Sequence, residues 1–386
     1  MVISLVLRDR ILKKNQLHIV SFNIPDPPNY GGVIDIYYKI KCLSKAGIKI
    51  YLHCYQYGRE KSARLEEFCE QVNYYKRSSG FKYFLSPMPY IIKTRLSEEL
   101  LGNLRQPLCP ILFEGIHTTG FYNHKALNTR HKIIRTHNIE YQYYRNLAGK
   151  ERNLFKKFFF ISEGIKLNRY ERRLPDRTVI AAISENDKIY YQKYGYETCY
   201  IPAFHPFEKV MSQEGTGKYI LYHGDLSVPD NERSVRYLID KLYKHLRIPL
   251  IIAGKDPSKC LKRTINWNQN IKLIENPSSD KLSDMIRNAH INLLHSFQSS
   301  GMKIKLLYSL FLGRHCIAHK NIIANSGLDN LCYEWETEDQ LIKKVKYLLD
   351  KPFTKPESEK RKKKLNDNFS NRENTAQLIR LADLDT

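Results

Sequence analysis

The chain reads as an α/β protein of two Rossmann-like domains whose parallel sheets face an interdomain cleft. Three observations predict it. The first is an opening unit of strand, small-residue loop and helix: Leu17 to Phe22 is apolar, Ile24-Pro25-Asp26-Pro27-Pro28-Asn29-Tyr30-Gly31-Gly32 follows, and a helical pattern comes next. The second is the same unit again, with the apolar-aromatic run Lys218 to His223, the loop Gly224-Asp225-Leu226-Ser227-Val228-Pro229-Asp230-Asn231 and another helix. The third is the alternation of strand-like and helix-like segments after each opening, which argues for parallel sheets. A length of 386 residues suits two such domains.

Residues 1–16 read as an N-terminal extension, because Val2 to Leu7 and Ile11-Leu12 are broken by Arg8, Asp9 and Arg10. That is too short and too charged for a signal peptide or a membrane span. Residues 17–207 form the first domain. Its strand candidates are His18–Phe22, Ile48–Tyr55, Ile111–Glu114, Lys132–Arg135 and Thr178–Ile183. Its helix candidates are Gly32–Lys45, Lys61–Val72, Ser97–Leu104, Glu140–Leu147 and Asn153–Leu174. The polar stretch within 208–218 reads as a linker. Residues 219–350 repeat the alternation, with strands at Tyr219–His223, Leu250–Ala253, Ile271–Ile274, Ile291–His295 and His315–Ala318. Residues 351–386 read as a basic C-terminal tail or helix carrying Lys360-Arg361-Lys362-Lys363-Lys364.

Sixty-three basic against 40 acidic residues give a net charge of +23, which favours a polyanionic partner. Nucleic acid, an anionic membrane surface and phosphorylated substrates all qualify, and a basic composition across the whole organism is the plain alternative. No helix-turn-helix or RNA-binding aromatic signature accompanies the charge, so nucleic acid is not expected. The eight cysteines include no C-x-x-C pair and read as reduced thiols of a cytoplasmic protein. No run approaches the ~18 apolar residues of a membrane span.

Gly31 and Gly32 allow close backbone approach at a helix N-terminus, where free N–H groups favour a phosphate; an ordinary strand–helix turn is the alternative. The absence of G-x-G-x-x-G argues against a nicotinamide or flavin cofactor. Ser299-Ser300-Gly301 reads as an N-cap, and Lys303 and Lys305 lie within the first turn beyond it. Cations there oppose the helix dipole, and an anionic ligand would resolve the conflict; a solvated lysine pair is the other reading. Glu114 and His117 follow one strand end, and Arg135, His137 and Asn138 follow another, where ligands of open α/β sheets bind. A capping or core histidine is the alternative for His117, and loop-fixing groups the alternative for His137 with Asn138. Tyr141 to Leu174 mixes aromatic and basic residues, as either a membrane-facing or a core helix would.

The pieces Pro27 to Gly32, Arg135-Thr136-His137-Asn138-Ile139-Glu140, Ala182-Ile183-Ser184-Glu185-Asn186-Asp187, Gly224-Asp225-Leu226-Ser227, Ile252-Ala253-Gly254-Lys255 and Gly301 to Leu307 together resemble a GT-B glycosyltransferase. The resemblance is to the retaining type that serves bacterial polysaccharide assembly. It implies a nucleotide-diphosphate sugar bound mainly by the second domain, with Gly31, Gly32, Gly224, Asp225, Gly254, Lys255, Gly301, Lys303 and Lys305 near the nucleotide or diphosphate. It implies an acceptor at the first domain, near Tyr30, Arg135, His137 and Asn138, and catalytic roles for His117 and Glu114. It also implies metal-independent transfer, consistent with the lack of an Asp-x-Asp motif at a strand end. Two glutamates common in that family are replaced here by Ser300 and Tyr308. The function expected is hexosyl transfer to a glycan or lipid-linked acceptor, cytoplasmic and peripheral to the membrane. A GT-B epimerase, a transferase-like protein without activity, and a nucleic-acid-binding protein are the competing readings.

Overall fold

The computed structural model describes residues 15–242, 249–298, 304–324 and 326–385. The described residues form two compact units, one of 15–206 with 371–385 and the other of 207–298 with 304–370.

The first unit holds a seven-stranded parallel sheet in the order β3-β2-β1-β4-β5-β6-β7. Its strands are β1 (Gln16–Ser21), β2 (Lys49–Gln56), β3 (Gln71–Lys76), β4 (Ile111–Glu114), β5 (Lys132–Arg135), β6 (Val179–Ala182) and β7 (Glu197–Tyr200). The second unit holds a six-stranded parallel sheet in the order β10-β9-β8-β11-β12-β13. Those strands are β8 (Ile220–Asp225), β9 (Leu250–Lys255), β10 (Ile271–Glu275), β11 (Ile291–Leu294), β12 (His315–His319) and β13 (Tyr333–Trp335). In both sheets the order reverses at the first strand, so the switch points lie between β1 and β4 and between β8 and β11.

Both faces of the first sheet are covered at its centre, which is why β4 and β6 are buried, mostly apolar runs. Alternate side chains enter different cores: Ile19, Leu52, Leu112 and Ala181 join one cluster, and Val20, Phe113, Ile134 and Ile180 the other. The first cluster includes Ile36 and Ile40 of the Gly31–Lys45 helix, and also Leu378 and Ile379 of the Asn371–Leu381 helix. The segment read as a basic tail or helix thus forms two helices, Lys355–Asn368 in the second unit and Asn371–Leu381 in the first.

One helix expectation fails. Leu65, Phe68, Cys69 and Val72 have helical spacing, yet Lys61–Val72 gives only a short 3-10 turn at Ala63–Leu65 before β3 begins. Pairing with β2 from Tyr51↔Gln71 to Gln56↔Lys76 satisfies the backbone of this stretch and overrides the pattern. All eight cysteines are free thiols. Gly301 and Lys303, as well as Ser299 and Ser300, lie outside the described residues.

Candidate functional site

In the first unit the loops after β1 and β4 flank the switch point, where open α/β sheets bind ligands. Phe22 follows β1, and its ring packs against His117 at 5.3 Å and against His137 at 5.4 Å. A Cβ on Gly32 would approach Phe22 Cζ to 2.8 Å, so glycine lets the helix start close against that ring. Tyr30 caps this helix in extended conformation without a side-chain cap bond. Gly115 has φ +71°, and a Cβ there would come within 2.7 Å of His117 Nδ1. Both facts demand glycine where the chain turns from β4 toward His117.

The His117 side chain keeps 19% exposure, and its Nε2 lies 4.0 Å from Glu140 Oε2. Burial, with Arg95 and His137 nearby, holds its pKa well below the ordinary value, so the imidazole is neutral near pH 7. Burial raises the Glu140 carboxyl to about 7. A neutral imidazole beside a carboxyl that titrates near neutrality is a pair able to exchange hydrogen bonds with sugar hydroxyls.

Glu114 and Arg135 are placed differently from the expectation that they meet substrate. Glu114 is fully buried, with Oε1 2.6 Å from Lys39 Nζ and Oε2 accepting from His137 Nε2 at 2.9 Å. Burial alone would raise its pKa, but Lys39 and His137 outweigh that and keep it ionised. Its function is to anchor His137. Arg135 is equally enclosed, donating to Asp35 at 2.9 and 3.2 Å and to the carbonyls of Ile201 and Pro202. It ties β5 to the Gly31–Lys45 helix and to the segment beyond β7. Asp35 completes the network by accepting from Lys39 at 2.8 Å and from the Phe204 N–H at 2.8 Å. Asp35, Glu114 and His137 offer ligand atoms within 4.8 Å of one another, but Lys39 Nζ already bridges the two carboxylates.

Sequence reasoning passed over Asp35, Lys39, Arg95 and Glu140. A signal did exist for the first two: a charged pair four residues apart inside the apolar stripe Val33, Ile34, Ile36, Tyr37 and Ile40. Charge on a buried helix face needs a buried partner.

In the second unit Lys305 lies at the β8/β11 switch point. Its Nζ donates to the His295 carbonyl at 2.9 Å and to Asn231 Oδ1 at 3.3 Å, and it lies 5.4 Å from the centre of the Tyr222 ring. Asp225 ends β8 and shapes the loop, accepting from Ser227 N–H at 3.0 Å and Ser227 Oγ at 2.6 Å. Asn231 Nδ2 donates to the Asp225 carbonyl at 2.8 Å. Gly224 lies against the Asn231 side chain, which a Cβ would meet at 3.4 Å. Gly254 has a packing reason of its own, because a Cβ would fall 2.1 Å from the Gly224 carbonyl oxygen. Lys255 is exposed beside Asp256, 3.7 Å away. His295, just after β11, is depressed to about 3 by burial and by His319 and Lys305. Tyr308 meets the Phe207 ring at 4.7 Å.

Two doubly wound units in one chain are the architecture of the GT-B fold. Solved structures agree. A glycosyltransferase from Rickettsia africae matches with a TM-score of 0.64 at 13% identity, over 96% of this chain and 98% of that one. WaaG, a glycosyltransferase involved in lipopolysaccharide biosynthesis, matches with a TM-score of 0.62 at 9% identity, over 95% and 99%. Anabaena HepE in complex with UDP matches with a TM-score of 0.61 at 11% identity, over 95% and 98%. The chain has the GT-B glycosyltransferase fold. In sequence it is similar to an uncharacterized 44.6 kDa protein in the cps region of Klebsiella pneumoniae, 27% identical over 309 residues, covering 75% of this chain and 79% of that one. No family model matches.

Proposed function

We propose that the protein transfers a sugar, with retention of configuration, from a nucleotide-diphosphate sugar to a glycan or lipid-linked acceptor in cell-surface polysaccharide assembly. The observation that carries the reading is Lys305, a cation held at the switch point of the second unit by His295 and Asn231. Its charge favours the diphosphate there, and it would stabilise negative charge that develops on the leaving group. The sequence places Gly301 and Lys303 just before it. The relative in a cps region and the neighbour bound to UDP support donor class and setting. The reading assigns no metal ion to the step. In the first unit His117 and Glu140 would orient the acceptor, while Glu114 and Arg135 hold the scaffold beneath them.

The second part of the reading is location. No described helix is long and apolar enough to cross a membrane. Yet the Leu154–Glu171 helix exposes Phe155 by 90% and Phe158 by 64%, beside exposed Arg152, Lys156 and Lys157. Phe84 packs against Phe158 at 6.4 Å and Phe81 at 5.7 Å, which continues the apolar surface. Apolar rings flanked by cations suit an anionic lipid face, where a lipid-linked acceptor resides.

The test is a thermal-shift screen against nucleoside diphosphates and their sugars. One of them at 100 times its dissociation constant stabilises the fold by about 2.7 kcal/mol. In Lys305→Ala the affinity falls at least tenfold, which lowers that stabilisation to about 1.4 kcal/mol or less at the same concentration, and NMR of the parent's product shows the donor's anomeric configuration kept. A panel without any response, or a Lys305→Ala response equal to the parent's, overturns the donor assignment.

A further inference from the structure

In the first unit Arg95 feels the charge of Arg77, and among the described residues neither forms an ion pair with an acid. Arg95, only 6% exposed, donates from Nε to the Phe22 carbonyl at 3.1 Å and from Nη1 to the Ile91 carbonyl at 2.6 Å. Arg77 follows β3. Its Nε donates to Thr94 Oγ1 at 3.1 Å, and its guanidinium lies 4.3 Å from the Tyr57 ring centre and 5.8 Å from that of Tyr90. Carbonyls, a hydroxyl and ring faces satisfy some of the donors but cancel none of the charge. Arg95 Nη2 and both Nη groups of Arg77 bond no described residue.

Buried charge is normally paired, because a desolvated ion without a counter-ion costs several kcal/mol. Arg95 is such a buried charge, and the half-buried Arg77 places a second cation beside it. Burial and the neighbouring Arg77 lower Arg95 to about 9, so it is still cationic at neutral pH. The carboxyl that feels Arg95 is Glu140, and burial keeps that group about half protonated near pH 7. A third guanidinium, Arg59, lies 5.5 Å from the Tyr30 ring centre, and the Tyr30 hydroxyl feels both Arg59 and Arg95.

The position is as telling as the charge. Arg95 grips the carbonyl of Phe22, and Phe22 packs on His117 and His137. The pair therefore borders the β1/β4 switch point, in the unit to which the proposed function assigns the acceptor. A role as carbonyl clamp accounts for half of Arg95 and for none of the free Nη groups of Arg77. Planar guanidinium forks beside aromatic rings match a phosphate oxyanion in shape and charge.

We propose that Arg77 and Arg95 bind a phosphate or diphosphate on the acceptor, so that the acceptor is a phosphorylated sugar and not a neutral glycan. This rests on the glycosyltransferase reading for the word acceptor, but the anion site stands on its own geometry. A soluble sugar phosphate and a lipid diphosphate sugar share the recognised group.

The experiment titrates inorganic pyrophosphate by calorimetry into the full chain carrying Lys305→Ala, which weakens the donor-side phosphate site. Binding is retained there, and it falls at least tenfold when Arg77→Gln or Arg95→Gln is added. Equal binding with and without the arginine changes overturns the proposal. If Arg95→Gln does not fold, the more exposed Arg77→Gln decides alone. The nucleotide screen on an otherwise unaltered Arg77→Gln protein separates the two readings: loss of pyrophosphate binding with no nucleotide response anywhere sinks the transferase and keeps the anion site. A sugar 1-phosphate and a polyprenyl diphosphate sugar in detergent micelles identify the source, and whichever binds tenfold more tightly through the arginines names it. Equally tight, arginine-dependent binding of a neutral methyl glycoside overturns the proposal.

Discussion

At the scale of single residues, the first unit is organised by a buried ionic cluster. Asp35 and Glu114 supply two negative charges, Lys39 and Arg135 two positive ones, and all four side chains are fully or nearly fully buried. Such a cluster contributes little net stability when whole, but losing one partner leaves an uncompensated buried charge. Lys39→Met keeps the volume and removes the cation between the carboxylates. It is expected to cost about 3–5 kcal/mol in urea denaturation. Glu114→Gln retains an acceptor for one of its two partners and is expected to cost less. Equal small losses for both would mean that the cluster is not coupled. Parts of this were legible in the sequence and parts were not. The sequence pattern put Glu114 and Arg135 at strand ends, and they close β4 and β5. Their roles were hidden, because Lys39 and Asp35 fill the coordination of Glu114 and Arg135 from a helix 75 and 100 residues away in sequence. Such distant pairing leaves no local spacing to read.

At the scale of elements, three helices meet over buried acids. The Glu140–Lys150 helix begins on Glu140, whose N–H donates to Glu171 Oε1 at 2.8 Å near the end of the Leu154–Glu171 helix. Tyr191, on the Glu185–Gln192 helix, donates its hydroxyl to the same oxygen at 3.3 Å. Burial, with Glu140 adding to it, raises Glu171 to about 8, and burial raises Glu140 to about 7. A carboxyl raised in the fold is favourable there while protonated, so its contribution is complete below the unfolded value of about 4.5. Above that pH the unfolded chain ionises first, and stability falls as pH rises through 7 and 8. The buried histidines, among them His117 and His295, have depressed pKa values and favour the fold as pH rises toward 6.5. The melting temperature is therefore expected to drop from about pH 7 to pH 8.5, and Glu171→Gln is expected to flatten that slope. A parent profile that rises over this window contradicts the assignment. Elements were legible where both sheet faces are covered, as with β4 and β5, whose apolar runs have definite ends. Three of the four edge strands, β3, β7 and β13, were not recognised, because their sequences, such as Gln71-Val72-Asn73-Tyr74-Tyr75-Lys76, are short or half polar. The edge strand β10 was instead betrayed by its apolar Ile271, Leu273 and Ile274. A helical spacing ending in Val72 then claimed part of β3.

At the scale of the whole molecule, two repeated openings carried the fold. Each strand–loop–helix unit starts a sheet whose order reverses beside it, and that local event fixes where polar loops collect. A C-terminal tail or helix was expected, but its packing was not legible, because Leu378 and Ile379 of the helix and Ala382 and Leu384 just beyond it complete a core in the first unit, which begins more than 300 residues earlier. The net charge of +23 and the aromatic patch bear on the proposed adsorption to an anionic surface. The charge would draw the protein toward such a surface at long range, and salt would screen that attraction. Inserted rings act at contact, and burying one phenylalanine contributes about 1.5–3 kcal/mol. Phe155 and Phe158 are exposed already, so replacing both with serine should leave the melting temperature unchanged. Co-sedimentation with vesicles containing phosphatidylglycerol is expected to weaken about a hundredfold in that variant. Lys156→Gln with Lys157→Gln is expected to weaken it less, and to reduce its dependence on salt. If the phenylalanine variant binds anionic vesicles like the parent, or if the parent binds neutral vesicles equally well, the patch does not serve a membrane and its rings await a protein partner.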